Sequence, residues 1–150
     1  MIKIITVGKI KEKYLKDGIN EYLKRMQKYT KIEIIELQDE DFDINKTLLK
    51  EKEKIEKYIK ERDYVVTLEI DGEELSSIEL SKKIDNIMLN NSDITFIIGG
   101  SYGLHDDIKK RSNFALSFSK MTFPHQLFRL ILLEQIYRSF KILNNETYHK

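Results

Sequence analysis

The chain has 150 residues, one proline, no cysteine and a formal net charge of +1 at pH 7. That length suits a single domain (1–150) able to bury about two-thirds of the surface its unfolded form exposes. Without cysteine a disulfide framework, a thiolate nucleophile and a cysteine zinc site are excluded; no metal is expected, and the composition suits a reducing compartment.

The opening run Ile2 to Val7 (IKIITV) predicts a strand, and its apolar stretch is too short for a signal peptide. A helix is expected from Glu12 to Lys28, a second strand from Ile32 to Leu37, and a highly charged helix from Asn45 to Glu61. Tyr64 to Ile70 reads as the third strand, followed by a helix over Ser77 to Asn90 with a capping box in Ser76 and Glu79. Ile94 to Gly99 and Phe114 to Phe118 are the remaining strands; Leu104 to Arg111 and Pro124 to Leu143 are the remaining helices. Five βα units in this order predict an α/β fold, a parallel sheet with helices on both faces, because parallel strands need crossover connections. Nowhere do about 18 apolar residues run together, so a soluble, cytoplasmic protein with no membrane partner is expected.

Charge is distributed unevenly. Met1 to Ile32 carries nine basic and three acidic residues, Glu33 to Glu74 seven against fifteen, and Ser101 to Lys150 eight against four. A surface that gathers both ends would attract a polyanion, although ordinary solvated helix faces account for the same counts.

Ligands in open parallel sheets bind at the carboxyl ends of strands. Two loops there stand out. IIGGSYGL (Ile97 to Leu104) supplies glycines that admit close backbone approach and φ > 0, but it is neither a dinucleotide fingerprint nor a Walker loop, and a plain βα turn fits it equally. The second loop, Ser119 to Phe123, precedes Pro124, the residue type favoured at a helix start, and mixes hydroxyls with Met121 and Phe123, which suit the side of an apolar-edged ligand. The last helix is apolar on nearly every side, which predicts burial on two sides and hence a symmetric homodimer. On it, Glu134 and Arg138 are spaced to pair; His125, beside the helix start, is a cap, a packed ring or a ligand group.

IGGSYGL, LSFSKMTFPHQLFRLILLEQIYRSFKI and the terminal YHK, with the early VGKIKEKY, resemble the RlmH family over essentially the whole chain. These are small SPOUT-class methyltransferases that modify the position-3 nitrogen of a pseudouridine in large-subunit (23S) ribosomal RNA. The resemblance implies a carboxy-terminal trefoil knot, S-adenosyl-L-methionine bound in it, an obligate homodimer and the ribosome as partner. Carried over by position, the cofactor-binding residues are Leu68, Gly99 and the run Phe118, Ser119, Lys120, Met121, Thr122 and Phe123, with Gly100 and Gly103 matching the motif. Removing the ring-nitrogen proton needs a base, or groups that stabilise charge on the flanking carbonyl oxygens. The catalytic candidates are His149 and Tyr148 in the tail and Glu134 and Arg138 on the helix, with the base unassigned among them. In the family's dimer a short tail extension would reach the partner's pocket. The segment 38–50 receives no role. Three alternatives stay open: a SPOUT methyltransferase acting on another RNA, a non-catalytic RNA-binding module, and a flavodoxin-like domain holding phosphate at the first strand.

Overall fold

A computed structural model describes residues 1–90 and 93–150. The element order is β1 (Ile2–Val7), α1 (Lys13–Met26), β2 (Ile32–Leu37), α2 (Ile44–Glu56), β3 (Tyr64–Glu74), α3 (Ser77–Asn90), β4 (Ile94–Ile98), α4 (Asp106–Arg111), β5 (Phe114–Ser117) and α5 (His125–Leu143). All five strands are parallel, in the order β2-β1-β4-β3-β5. Every residue of β1 and β4 is buried, as expected of central strands covered on both faces. The expected parallel α/β sheet is therefore the fold observed.

Alternating strand residues feed two cores. Ile2, Ile4, Val66 and Phe96 point toward α1, α3 and α5, while Ile5, Val7, Val65 and Ile97 face residues of α2 and α4. The capping box at α3 forms reciprocally: Glu79 N–H donates to Ser76 Oγ (3.1 Å) and Ser76 N–H to Glu79 Oε1 (2.8 Å). On the α1/α3/α5 side, α5 packs between its two neighbours. A Cβ on Gly18 would stand 3.0 Å from Leu130 Cδ2, so this glycine brings α1 close to α5. The pairing of α1 with α5 also sets the two basic ends of the chain on one side of the sheet.

Three boundaries depart from the sequence-based expectation for a reason visible in the structure, and the others agree to within two residues. The second helix stops at Glu56, short of Glu61, because the following turn is pinned from below. Lys3 Nζ donates to Tyr58 O and to Asp63 Oδ2, each at 2.8 Å, and Arg111 donates to the carbonyls of Lys60, Glu61 and Asp63. The third strand runs on to Glu74: β5 pairs with Val66–Leu68, the register then shifts, and Glu73 and Glu74 pair with it again. Gly72 permits this, since a Cβ there would lie 2.7 Å from Ala115 O. Pro124 is the cap of α5, one position before the helix proper, and its carbonyl accepts from Phe128 N–H at 2.8 Å.

The apolar circumference of α5 has a partly intramolecular cause. Leu132, Leu133 and Ile136 are fully buried within the protomer, so Leu132 belongs to the core and not to a partner surface, while Ile131 is only half-buried. Among the described residues no helix is long and apolar enough to cross a membrane.

Candidate functional site

A cavity of about 310 Å³ opens at the carboxyl ends of β3, β4 and β5. One wall is the β3 segment displaced by the register shift, Leu68 to Asp71; a second is the turn from Ile98 to Leu104; a third is the loop after β5 with the start of α5. Of the ten sequence-derived cofactor positions, nine line it: Leu68, Gly99, Gly100, Gly103, Phe118, Ser119, Met121, Thr122 and Phe123. Lys120 is exposed and lies outside the wall.

The glycines act through the shape of the turn. Gly103 has φ +79°, and its N–H donates to Gly100 O at 3.1 Å. A Cβ on Gly99 would run into the Gly103 carbonyl, its carbon only 2.7 Å away, and backbone cannot yield there. Gly100 backs onto Glu51, a buried carboxyl of α2 whose pKa burial pushes up. Gly99→Val is therefore expected to open this turn and remove binding of a cavity ligand, read by calorimetry, while the circular dichroism of the sheet persists; unchanged affinity would show that the turn does not shape the site.

The loop after β5 is closed by its own hydroxyls. Ser117 Oγ donates to Ser119 O (3.1 Å), and Met121 N–H donates to Ser119 Oγ (3.0 Å). Phe118 meets Phe128 edge-on with centroids 4.9 Å apart, and Phe123 lies 5.6 Å from the same ring. These rings give the cavity an apolar side. Three charged wall residues escaped sequence reasoning, Glu69, Asp71 and Lys109, and His125 was weighed only by its position beside the helix. Glu69 and Asp71 directly follow Leu68 along the strand, which is the signal that would have found them.

The loop after β1 is differently used. Arg129, buried, donates to Thr6 Oγ1 (2.9 Å), Gly8 O (3.0 Å) and the Glu36 carboxylate. Burial opposes ionisation of Glu36, but the Ile10 N–H and Arg129 hold its carboxyl below the usual range. The position where a flavodoxin-like domain would hold phosphate is thus tied down by side chains of the chain itself.

The four catalytic candidates come together, away from the cavity. Arg138 donates to Glu134 Oε1 through Nε (2.9 Å) and Nη2 (2.5 Å), and Tyr148 donates to the same oxygen (3.1 Å). Arg138 Nη1 lies 3.0 Å from His149 Nδ1. A guanidinium only donates, so Nδ1 accepts and the ring proton sits on Nε2. Burial, then the contact with Tyr22 and the adjacent Glu134 carboxylate, push the Tyr148 phenol above its ordinary range. The tail is fastened by Glu146, which accepts from Tyr29 (2.7 Å), Lys141 (2.9 Å) and Lys28 (3.3 Å); these bonds, Lys141 first, pull its carboxyl down to about 2. None of the four lines the cavity. From His125 to Arg138 is about 20 Å of helix at 1.5 Å per residue.

The chain matches the family model described as "Predicted SPOUT methyltransferase" over residues 1–149. A solved tRNA (m1G37) methyltransferase from Aquifex aeolicus superposes with a TM-score of 0.52, covering 91% of this chain and 69% of that one at 16% identity, which bears on the fold alone. The chain is also 56% identical to ribosomal RNA large subunit methyltransferase H of Clostridium botulinum, over 99% of each. It is 51% identical to the protein of that name from Caldicellulosiruptor saccharolyticus, over 100% of each. The chain belongs to the SPOUT methyltransferases, within the ribosomal RNA large subunit methyltransferase H family.

Proposed function

We propose that this protein is a cytoplasmic, S-adenosyl-L-methionine-dependent methyltransferase that acts as a homodimer on N3 of a pseudouridine in large-subunit ribosomal RNA of the ribosome. The observation that carries this reading is the coincidence of the cavity with nine of the ten cofactor positions taken from the family. Its volume and its lining, apolar and aromatic on one side and polar on the other, fit a nucleoside-sized ligand. S-adenosyl-L-methionine would be held by Leu68, the Gly99–Gly103 turn and the loop after β5, and would supply an electrophilic methyl group on a sulfonium, the sulfur keeping the electron pair of the broken bond and the ring-nitrogen proton passing to solvent.

The residues of the chain align and desolvate. Phe118, Phe123 and Phe128 exclude water from one side, and the Gly99–Gly103 turn and Ser119 loop fix the backbone around the ligand. With Nδ1 engaged by Arg138, His149 presents an Nε2 proton, and Tyr148 keeps its own. The His149 Nε2–H then serves as donor to a carbonyl oxygen flanking the ring nitrogen, stabilising the charge left by the departing proton, while Tyr148, whose hydroxyl proton is held by Glu134, offers its ring to stack on the base. Because some 20 Å of helix separates tail from cavity in one protomer, this chemistry needs the partner's pocket. The knot of the SPOUT family is part of the same reading: β5 lies at the sheet edge beyond β3, yet α5 returns to bond the end of β1 through Arg129.

The test is calorimetry with S-adenosyl-L-methionine, then mass spectrometry of ribosomal RNA from a strain lacking the gene. Binding and a missing methylated pseudouridine are expected; binding with an unmodified position elsewhere would favour another RNA substrate, and no binding would favour an RNA-binding module. For the dimer, Ile131→Glu is expected to convert it to monomers in analytical ultracentrifugation, since burying an unpaired carboxylate costs several kcal/mol. A wild-type chain that sediments as a monomer at micromolar concentration would remove the composite site.

A further inference from the structure

The cavity holds more acid than base. Glu69 and Asp71 stand on its wall against Lys109, and among the described residues neither carboxylate has a cation within ion-pair distance. Glu69 is the more enclosed: it is half-buried, whereas Asp71 is exposed. It is also held. Thr67, fully buried in β3, donates its hydroxyl proton to Glu69 Oε2 at 2.6 Å, and Ser112 Oγ lies 2.8 Å from the same Thr67 oxygen. The register shift beyond Leu68 takes Glu69 out of the ladder with β5. A carboxylate left without a cation, oriented by a buried hydroxyl and facing a largely apolar cavity, is arranged for a charged ligand, because a low-dielectric wall strengthens the attraction.

The inference rests on the reading of this cavity as the methyl-donor site. S-adenosyl-L-methionine carries a sulfonium, an ammonium and a carboxylate, a net charge of about +1 at neutral pH; after transfer the sulfur is a neutral thioether and the net charge is about zero. We propose that Glu69, positioned by Thr67, distinguishes the cationic donor from its neutral product, so that the site relaxes its hold once the methyl group has left. Tight product binding would otherwise slow turnover in a cavity whose other contacts are the same for both ligands.

The experiment is calorimetry of the full-length protein with S-adenosyl-L-methionine and, separately, S-adenosyl-L-homocysteine. Glu69→Gln is expected to weaken the donor by about tenfold or more while shifting the product by no more than about twofold, an effect of charge alone at close range. Glu69→Asp keeps the charge and should keep most of the preference; Thr67→Val should lose part of it. Equal losses for both ligands in Glu69→Gln, or an unchanged ratio, would overturn the inference while leaving the cofactor reading intact. A wild-type chain that binds neither ligand overturns the cofactor reading and this inference with it.

Discussion

A chain ending at Glu146 is expected to fold, dimerise and bind S-adenosyl-L-methionine nearly as the full protein does, yet to leave ribosomes unmethylated. The deletion removes Thr147 to Lys150, and with them Tyr148 and His149, without touching any residue of the cavity wall. Glu146 and its three donors remain, so the new end stays fastened to α1 and α5. An exposed terminal segment of mostly polar residues is ordinarily dispensable. The cluster with Glu134 and Arg138 gives these residues a fixed geometry instead. Mixing the truncated chain with Gly99→Val tests the composite site. In the heterodimer the intact tail belongs to the chain with the damaged cavity, and it should reach the intact cavity opposite, restoring one working site of two. Methylation by the truncated homodimer, or no rescue in a verified heterodimer, would refute the exchange of tails.

The second large effect is on stability. Asp63→Ala should lower the free energy of unfolding by about 3–5 kcal/mol, measured by urea denaturation at pH 7, because it strands the buried Lys3 ammonium. For a domain whose total stability is about 5–15 kcal/mol, that approaches loss of the fold. The Asp63 carboxylate is the hub at the foot of the sheet: Lys3, the Lys60 N–H (2.8 Å) and Thr95 (3.2 Å) all donate to Oδ2. Burial works against its ionisation, but these donors, Lys3 foremost, hold its pKa below the usual value of 3.8. A depressed carboxylate contributes its stability fully above the unfolded value and loses it as pH falls through the folded one, so this share of stability should fade only in strong acid. Replacing both partners together, Lys3→Met with Asp63→Leu, should cost far less than either loss alone; an equal cost would mean that the pair is held for its packing and not for its charge.

Much of the architecture was legible because local and global signals agree. β1, β2 and α3 have the boundaries that apolar runs and the Ser76–Glu79 box predict. Where chain-distant groups decide, the sequence was silent. Lys3 and Arg111 end α2 early from other parts of the fold, and the register shift that carries β3 on to Glu74 depends on Gly72 lying against Ala115. The site shows the same division. The glycine turn and the Ser119–Phe123 loop were visible as strand-end loops, and a family resemblance joined them to Leu68. Glu69 and Asp71 were passed over because their strand was expected to end at Ile70 in ordinary pairing. The proximity of Glu134 to Arg138 followed from helical spacing, whereas Tyr148 and His149 join them only because the tail turns back after Asn145, at φ 56°.

Helix α5 begins at the cavity and ends at the tail, with 19 residues between. It is a ruler as well as a packing element. One residue added within it would swing everything beyond by about 100° and advance it by 1.5 Å, moving Tyr148 and His149 to another side of the molecule. Indels in this helix should therefore be silenced far more strictly than in the 38–50 segment, whose connection to α2 begins in an exposed bend. In the proposed symmetric pair the fault would strike twice, since each chain's misplaced end would be the one its partner needs.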